Sequence, residues 1–411
     1  LDINNNYVDA NTAFLKSKFR EYYLKNDVIL PPRFTKREYG FMFFDKKFVL
    51  RHKGFERMTE LKRFLVENVP KHAYYSTAYY KNPEAQDMDE KGWLGADLIF
   101  DLDADHIPET EGKSYEEMLK IVKKEAEKLI FDFLMGDMGF KERDLFIAFS
   151  GGRGYHIYVR NPDVWELDSD DRREIVNYIT GEGVDIYKFL RVENIKMGRT
   201  RSREVYYLYP LNYGGWYSKV HREIMNESKR LLDVYNSYGD KSLLNEINKF
   251  LKDKKLSKKL VRELLSENKE YTTKLEHLAK GEESQKLQIF KNDALRDLFL
   301  LYIKNKIRIK SEIDEPVTTD IHRLIRLIGS LHGKTGFMVK PLTLKDFKDF
   351  NPLKDAIPEI FRSENAKIKI KNELKIELNG EEYELEGEVC VPDYVAIFVI
   401  ARGMGDFIAR C

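Results

Sequence analysis

Cysteine is almost missing from this chain. Cys390 and Cys411 are the only two in 411 residues, too few for a disulfide scaffold or a four-cysteine zinc site. Long hydrophobic runs are missing as well. No stretch approaches the roughly 18 continuous apolar residues that a membrane helix needs, and the start shows no signal-peptide core. An intracellular protein without membrane attachment is therefore expected. Net charge is also small: 70 Lys and Arg against 69 Asp and Glu leave +1, far from the basic excess of a nucleic-acid coat protein. The chain begins with Leu1 instead of methionine, which suggests an artificial boundary or a literally translated alternative start codon.

What is present describes a folded protein. Hydrophobic residues make up 42% and aromatics 13%, which excludes a disordered or low-complexity chain. The length allows one large domain or two modest ones. Charged residues of both signs make up 34%, and a balanced total can conceal a basic cleft beside acidic metal ligands. An aromatic stripe of Phe14, Phe19, Tyr22 and Tyr23 predicts a helix over about 8–30, stopped by Pro31-Pro32. Apolar runs at 37–44 and 48–51 flank a polar turn and read as a hairpin. A helix over 58–68, a strand over 72–80 and an amphipathic helix over 114–135 follow. From 217 to 305 the texture is Lys/Glu/Leu-rich and helical in period, an inserted all-helical module whose lysine clusters read as a solvated face. Strand texture returns at 366–378 and 383–388. The expected class is α+β, with no internal repeat.

Three constellations carry chemistry. The first is the strand Leu98-Ile99-Phe100-Asp101-Leu102-Asp103-Ala104-Asp105. Period-2 alternation puts Leu98, Phe100, Leu102 and Ala104 on one face and the three aspartates on the other. Hard divalent cations want such oxygen ligands, although surface carboxylates on a half-exposed strand would show the same pattern. The second is Ser150-Gly151-Gly152-Arg153-Gly154-Tyr155-His156, the turn of a hairpin between 145–149 and 155–159. Its glycines let backbone N–H groups approach an anion, and Ser150 and Arg153 add donors suited to phosphate; a plain tight hairpin is the competing reading. The third runs from Asp314 to Gly336. There Thr318 or Thr319 is expected to cap a helix whose buried stripe is Ile321, Leu324, Ile325 and Ile328, with Arg323 and Arg326 off the stripe and Ser330, His332 and Lys334 following. Acid, then base, then His and Lys around a short helix suggest an anion site.

Taken together, in order and spacing, the three segments resemble the catalytic small subunit of archaeal and eukaryotic DNA primase. Arg37-Glu38-Tyr39-Gly40-Phe41 and Val49-Leu50-Arg51 resemble that family's N-terminal hairpin. The resemblance implies a primase-type core of mixed and antiparallel sheets flanked by helices, formed by 1–216 and 306–411 around the helical insertion 217–305. It implies that Asp101, Asp103 and Asp314 bind two divalent ions, Mg²⁺ or Mn²⁺, and are the catalytic carboxylates. It further implies that Ser150, Arg153 and His156 hold the triphosphate of the incoming nucleotide with Arg326 and His332, and that Arg51 and Glu38 lie near the nucleotide. Gly152 stands where some relatives carry a second arginine.

The implied activity is DNA-dependent synthesis of short primers on single-stranded DNA by two-metal-ion phosphoryl transfer, in the cytoplasm or nucleoid of an archaeon. The implied partners are a large regulatory subunit forming a heterodimer, the template strand and nucleoside triphosphates, with ribonucleotide or deoxyribonucleotide preference left open. Two alternatives stand beside this: a polymerase of the same superfamily used in end-joining or lesion bypass, and a non-catalytic nucleic-acid-binding subunit that kept the fold. One departure from many relatives is plain. Residues 106–144 contain His106 and no cysteine, so no structural zinc knuckle is expected there.

Overall fold

A computed structural model of the chain describes residues 9–182, 185–197, 201–267, 273–280, 287–306 and 311–411. Residue 8 of the expected first helix, and residues 268–272 and 281–286 of the expected helical stretch, lie outside the described residues. Leu1–Ile130, Phe140–Val176 and Glu312–Cys411 form one compact unit, and Phe131–Gly139 with Asn177–Ser311 form another.

The first unit is built on two four-stranded antiparallel sheets. One joins β1 (Tyr39–Met42), β2 (Val49–Lys53), β3 (His72–Ser76) and β11 (Leu324–Arg326) in the order β11-β3-β1-β2. The other joins β6 (Leu98–Asp103), β7 (Leu145–Phe149), β8 (Gly154–Val159) and β12 (Lys340–Leu342) in the order β12-β7-β8-β6. Alternation holds in β6: Leu98, Phe100 and Leu102 have no exposed surface, while Asp101 and Asp103 are partly open. Helices α1 (Ala10–Lys25), α2 (Met58–Asn68), α3 (Tyr115–Lys128) and α4 (Ser169–Thr180) flank these strands in sequence. Ser114 and Glu117 close a reciprocal capping box at the start of α3, and its apolar face packs on β6 and β8.

Smaller elements complete this unit. β4 (Ala78–Tyr80) pairs with β5 (Trp93–Ala96), and β14 (Leu374–Leu378) with β15 (Glu381–Leu385). β13 (Asn365–Ile370), β16 (Glu388–Pro392) and β17 (Gly405–Arg410) form a sheet in the order β16-β13-β17. The short helices are α9 (Glu315–Thr319), α10 (Leu344–Asp349) and α11 (Pro352–Asp355). α12 (Asp393–Ala401) is apolar all round, as a buried helix must be. Cys390 and Cys411 are joined by a disulfide.

The second unit contains a hairpin of β9 (Leu190–Met197) and β10 (Arg201–Leu208) and the helices α5 (Gly215–Leu251), α6 (Lys254–Leu264), α7 (Lys274–Ala279) and α8 (Asp293–Lys306). Leu231, Leu243, Ile247, Leu260, Leu278 and Phe299 form its core. α5 is interrupted at Gly239, whose φ of 74° belongs to the left-handed region that glycine tolerates. Among the described residues no helix is long and apolar enough to cross a membrane.

The α+β class is as expected, but four local expectations are corrected. No helix runs through 321–328: α9 ends at Thr319, and Leu324–Arg326 pairs with β3 instead. The edge of β3 offers unpaired backbone groups that this β-prone stretch satisfies, and only Ile325 of the three turns fully inward. The strand expected over 72–80 is two strands in different sheets, separated at Thr77, whose carbonyl accepts from the Arg37 guanidinium. Asp105 is not on the strand; Ala104–His106 is a single 3₁₀ turn capped by the Asp103 carboxylate. The first helix stops at Lys25, well before Pro31-Pro32.

One buried ion pair binds the two large sheets. The Arg37 guanidinium, just before β1, meets the Asp97 carboxylate, just before β6, at 2.6 Å, and neither is more than 1% exposed. Removing one partner of such a pair leaves an uncompensated buried charge. Asp97→Ala is therefore expected to lower the unfolding free energy by about 3–5 kcal/mol, read by urea denaturation. A loss below about 1 kcal/mol would show that the sheets are held by other contacts.

Candidate active site

The acidic half of the site is set by strand register. In the β6–β8 ladder Asp101 stands opposite His156 and Asp103 opposite Gly154. Gly154 is required there, because a Cβ would lie 2.2 Å from the Leu102 carbonyl oxygen. Asp314 arrives from a distant part of the chain, and its N–H donates to the Asp101 carbonyl at 2.9 Å. It occupies the N-cap position of α9 but makes no side-chain capping bond, so its carboxylate is free for other partners. The three aspartates thus converge, each beside a cation or an imidazole. Asp101 Oδ1 lies 3.5 Å from His156 Nε2, Asp314 Oδ2 3.7 Å from His106 Nε2, and Asp103 Oδ1 3.5 Å from Arg153 Nη2. Arg153 is held more closely by Asp105.

The basic half is built from the hairpin turn and the segment after β11. His332 lies on the Gly151-Gly152 turn, where a Cβ on Gly151 would meet its Cβ at 2.7 Å. Thr335 fastens the two together by donating from Oγ1 to the Gly151 carbonyl at 2.6 Å. His72 Nδ1 accepts from Arg326 Nη1 at 2.8 Å and from the Gly333 N–H at 3.2 Å. That ring is therefore neutral with its proton on Nε2.

Electrostatics separates the halves. Burial, reinforced by Asp103 and then Asp314, pushes the Asp101 carboxyl up to about 7. Burial pulls the imidazoles the other way. His156 falls to about 3 with help from Arg326, and His72 falls to about 2 with help from Arg326, Lys71 and Lys334. His332 is held well below its ordinary value by burial and then by Arg326. At neutral pH all three rings are neutral hydrogen-bonding groups, and the positive charge belongs to the arginines and lysines.

Asp101, Asp103, Asp314, Arg153, His156, Arg326 and His332 are brought together. Ser150 is placed differently from a free phosphate donor: its Oγ accepts the N–H groups of Gly152 and Gly154 at 3.3 and 3.2 Å and so caps the turn. Glu38 is wholly buried, and its carboxylate accepts from Arg51 Nε at 2.9 Å and the His52 N–H at 3.0 Å, with Lys91 at 3.5 Å. It orients Arg51 and leaves no oxygen open to a ligand. Arg51 in turn reaches the His322 carbonyl at 3.5 Å. Sequence reasoning missed Lys71, just before the expected strand, His72, which it absorbed into that strand, and His106, which it read only as a residue unable to hold zinc. A basic or imidazole residue at the mouth of a strand was the available signal.

The donor set suits hard divalent cations: three carboxylates close enough to repel one another, a repulsion that the nearby Arg326 and Arg323 offset only in part. Among the described residues no three His, Cys, Asp or Glu side chains already stand in coordinating geometry.

Comparison with known proteins gives the same direction. Residues 100–344 match the family described as DNA primase small subunit. The chain is 39% identical over 407 residues to the DNA primase small subunit PriS of Methanocella arvoryzae, covering 97% of this chain and 99% of that one. It is 38% identical to that of Methanothrix thermoacetophila, over 96% of this chain and 98% of that one. For the protein of Thermoplasma volcanium the figures are 36%, 96% and 97%.

The raised carboxyl makes a pH-dependent prediction. Unfolded, Asp101 titrates near ~3.9; folded, near about 7. Between these values the folded state binds the extra proton, so stability falls as pH rises from ~4 to ~7 and stays low above. In EDTA, Asp101→Asn should therefore raise Tm at pH 8. The gain should shrink below pH 7 and vanish near pH 4 when followed by calorimetry. A gain independent of pH would show that Asp101 is not strained by its charge.

Proposed function

Because the chain belongs to the DNA primase small subunit family and is thus a nucleotidyltransferase, we propose that it makes short primers on single-stranded DNA at the group formed by Asp101, Asp103 and Asp314. The observation that carries this reading is the meeting of carboxylates from two remote chain segments, joined by the Asp314 N–H to Asp101 carbonyl bond, beside Arg153, Arg326 and three neutral imidazoles. That combination suits a polyphosphate with its metal ions better than it suits any uncharged substrate.

Asp101, Asp103 and Asp314 would hold two divalent ions, Mg²⁺ or Mn²⁺, which when bound activate the attacking hydroxyl and stabilise the leaving pyrophosphate. The chain's own residues do the rest. Arg153 and Arg326 present guanidinium donors to phosphate oxygens, where charge-assisted bonds are strongest. His156 and His332, being neutral, each offer one ring N–H without adding charge, and the Gly151-Gly152 turn keeps His332 in place. Ser150 fixes the turn. Glu38 holds Arg51, whose side chain is more than a third exposed, as a further cation for the nucleotide. "Small subunit" in the relatives' name implies a larger partner; here that partner is a regulatory large subunit in a heterodimer, with single-stranded DNA as template.

Two tests follow from these roles. Asp101→Ala or Asp103→Ala should abolish primer synthesis with the fold intact, whereas Asp105→Ala should reduce it less. The assay supplies single-stranded template, labelled ribonucleotides or deoxyribonucleotides, and Mg²⁺ or Mn²⁺, with no primer. Near-wild-type turnover in either of the first two variants would end the metal assignment.

His156→Ala and Arg153→Ala should act through the nucleotide. Loss of a charge-assisted contact is worth ~1.5–3 kcal/mol, or roughly 10- to 150-fold in kcat/KM. Unchanged nucleotide kinetics in both would return the turn to a purely structural role.

A further inference from the structure

The segment Arg402-Gly403-Met404-Gly405-Asp406-Phe407 has no part in the site described so far, yet its first residue borders it. Arg402 follows directly on α12, and its guanidinium carbon lies 4.8 Å from the centre of the Tyr115 ring and 5.0 Å from that of Phe398. Those two rings are themselves in edge contact, with centroids 5.6 Å apart. The Tyr115 hydroxyl donates to the Gly152 carbonyl at 2.5 Å, so the stack ends on the glycine turn that carries Arg153. The guanidinium of Arg402 is felt electrostatically by Tyr115 together with those of Arg153 and the carboxylate of Asp103.

Arg402 differs from Arg153 in having no acidic partner. Arg153 is occupied by Asp105 and Asp103. The Arg402 side chain makes no hydrogen bond or ion pair among the described residues, and the charged group it feels is another arginine, Arg153, which disfavours its charge. A guanidinium without an acid partner, close enough to a second guanidinium to be disfavoured by it, is an arrangement that an anion completes.

The platform beneath Arg402 is rigid. At the start of α12 the fully buried Asp393 binds Lys18 at 2.7 Å and Arg410 at 2.6 Å. In mid-helix Ile397 lies against Gly336, where a Cβ would come within 2.3 Å of its Cγ2. Phe398 stacks on Phe337 at 5.5 Å. The loop that carries His332 therefore rests on the same helix that ends in Arg402. A favourable interaction with the C-terminal end of a helix accounts for a cation at this position, but not for its stacking on Tyr115, whose hydroxyl reaches the glycine turn.

We propose that Arg402 is a further guanidinium of the polyphosphate site, binding the incoming nucleotide's phosphates together with Arg153 and Arg326. This rests on the reading of the 150–154 turn as the triphosphate site. A template phosphodiester is the weaker fit, because the aromatic stack leads Arg402 to the turn and not away from it.

The test compares Arg402→Ala, Arg402→Lys and Arg153→Ala in the full chain with Mg²⁺. Calorimetric binding of inorganic tripolyphosphate, nucleotide KM and kcat, single-stranded DNA affinity and Tm are measured for each. Arg402→Ala should weaken tripolyphosphate binding and raise nucleotide KM roughly tenfold or more, with Tm and DNA affinity unchanged. Arg402→Lys, which keeps the charge at the helix end but not the planar fork, should recover only part of the loss. Weakening by Arg153→Ala but not by Arg402→Ala would overturn the proposal and leave the turn's role standing. No weakening by either would overturn both. Weakened DNA affinity alone in Arg402→Ala would assign the residue to the template and also overturn it.

Discussion

The arrangement of the first unit depends on one buried guanidinium. Arg37 donates to the carbonyls of Pro32, Ser76 and Thr77 as well as to Asp97, and it lies 3.8 Å from the centre of the Tyr79 ring. Asp97 also accepts from the Tyr79 hydroxyl. Arg172 binds the backbone on either side, donating to the carbonyls of Ala96 and Asp97 at 3.0 and 2.9 Å. A buried ion pair is tolerated only when its donors and acceptors are satisfied, so this cluster admits little variation in geometry. It fixes where β6 begins relative to β1 and β3, and hence the distance between the carboxylates of one sheet and Arg326 of the other.

Given that frame, the site gathers charge that its own residues do not cancel. Asp101 is raised because it is buried among like charges, and the imidazoles are neutral because they are buried among cations. The raised carboxyl disfavours the isolated protein at neutral pH, whereas the lowered imidazoles do so only in acid; divalent ions would relieve the first and a polyphosphate the second. The same low-dielectric surroundings that make the empty arrangement costly would strengthen each contact once it is formed.

Short-range pattern was enough for part of this. Alternation in Leu98–Asp103 gave the two aspartates a common face, and three glycines in five positions located the turn of the β7–β8 hairpin. Where the answer depended on a distant partner, local reading failed. Leu324, Ile325 and Ile328 are spaced as on a helix face, but Leu324–Arg326 became a strand because β3, far away in sequence, left an edge to be paired. The break at Thr77 had no local mark; it follows from Arg37 drawing in two successive carbonyls. Ser150 was legible as a polar residue of the turn, but not that its oxygen would be occupied by the turn's own N–H groups. Neither Asp314's neighbour nor the stack from Arg402 to Gly152 could be read from spacing, since each joins segments that only the fold brings near.

β11 also has a consequence for the order in which the protein is made. It pairs with β3 across most of the chain: Arg326 and His72, which meet through it, are 254 positions apart. During synthesis the first sheet must therefore wait with an open edge while the whole of Asn177–Ser311 emerges, and the second sheet waits likewise for β12. Open edges invite pairing with other chains, and contacts so distant in sequence are slow to form. Asp314, Arg326 and His332 all enter with that last stretch, so a growing chain carries two of the three carboxylates but no complete site until its final quarter has folded into place.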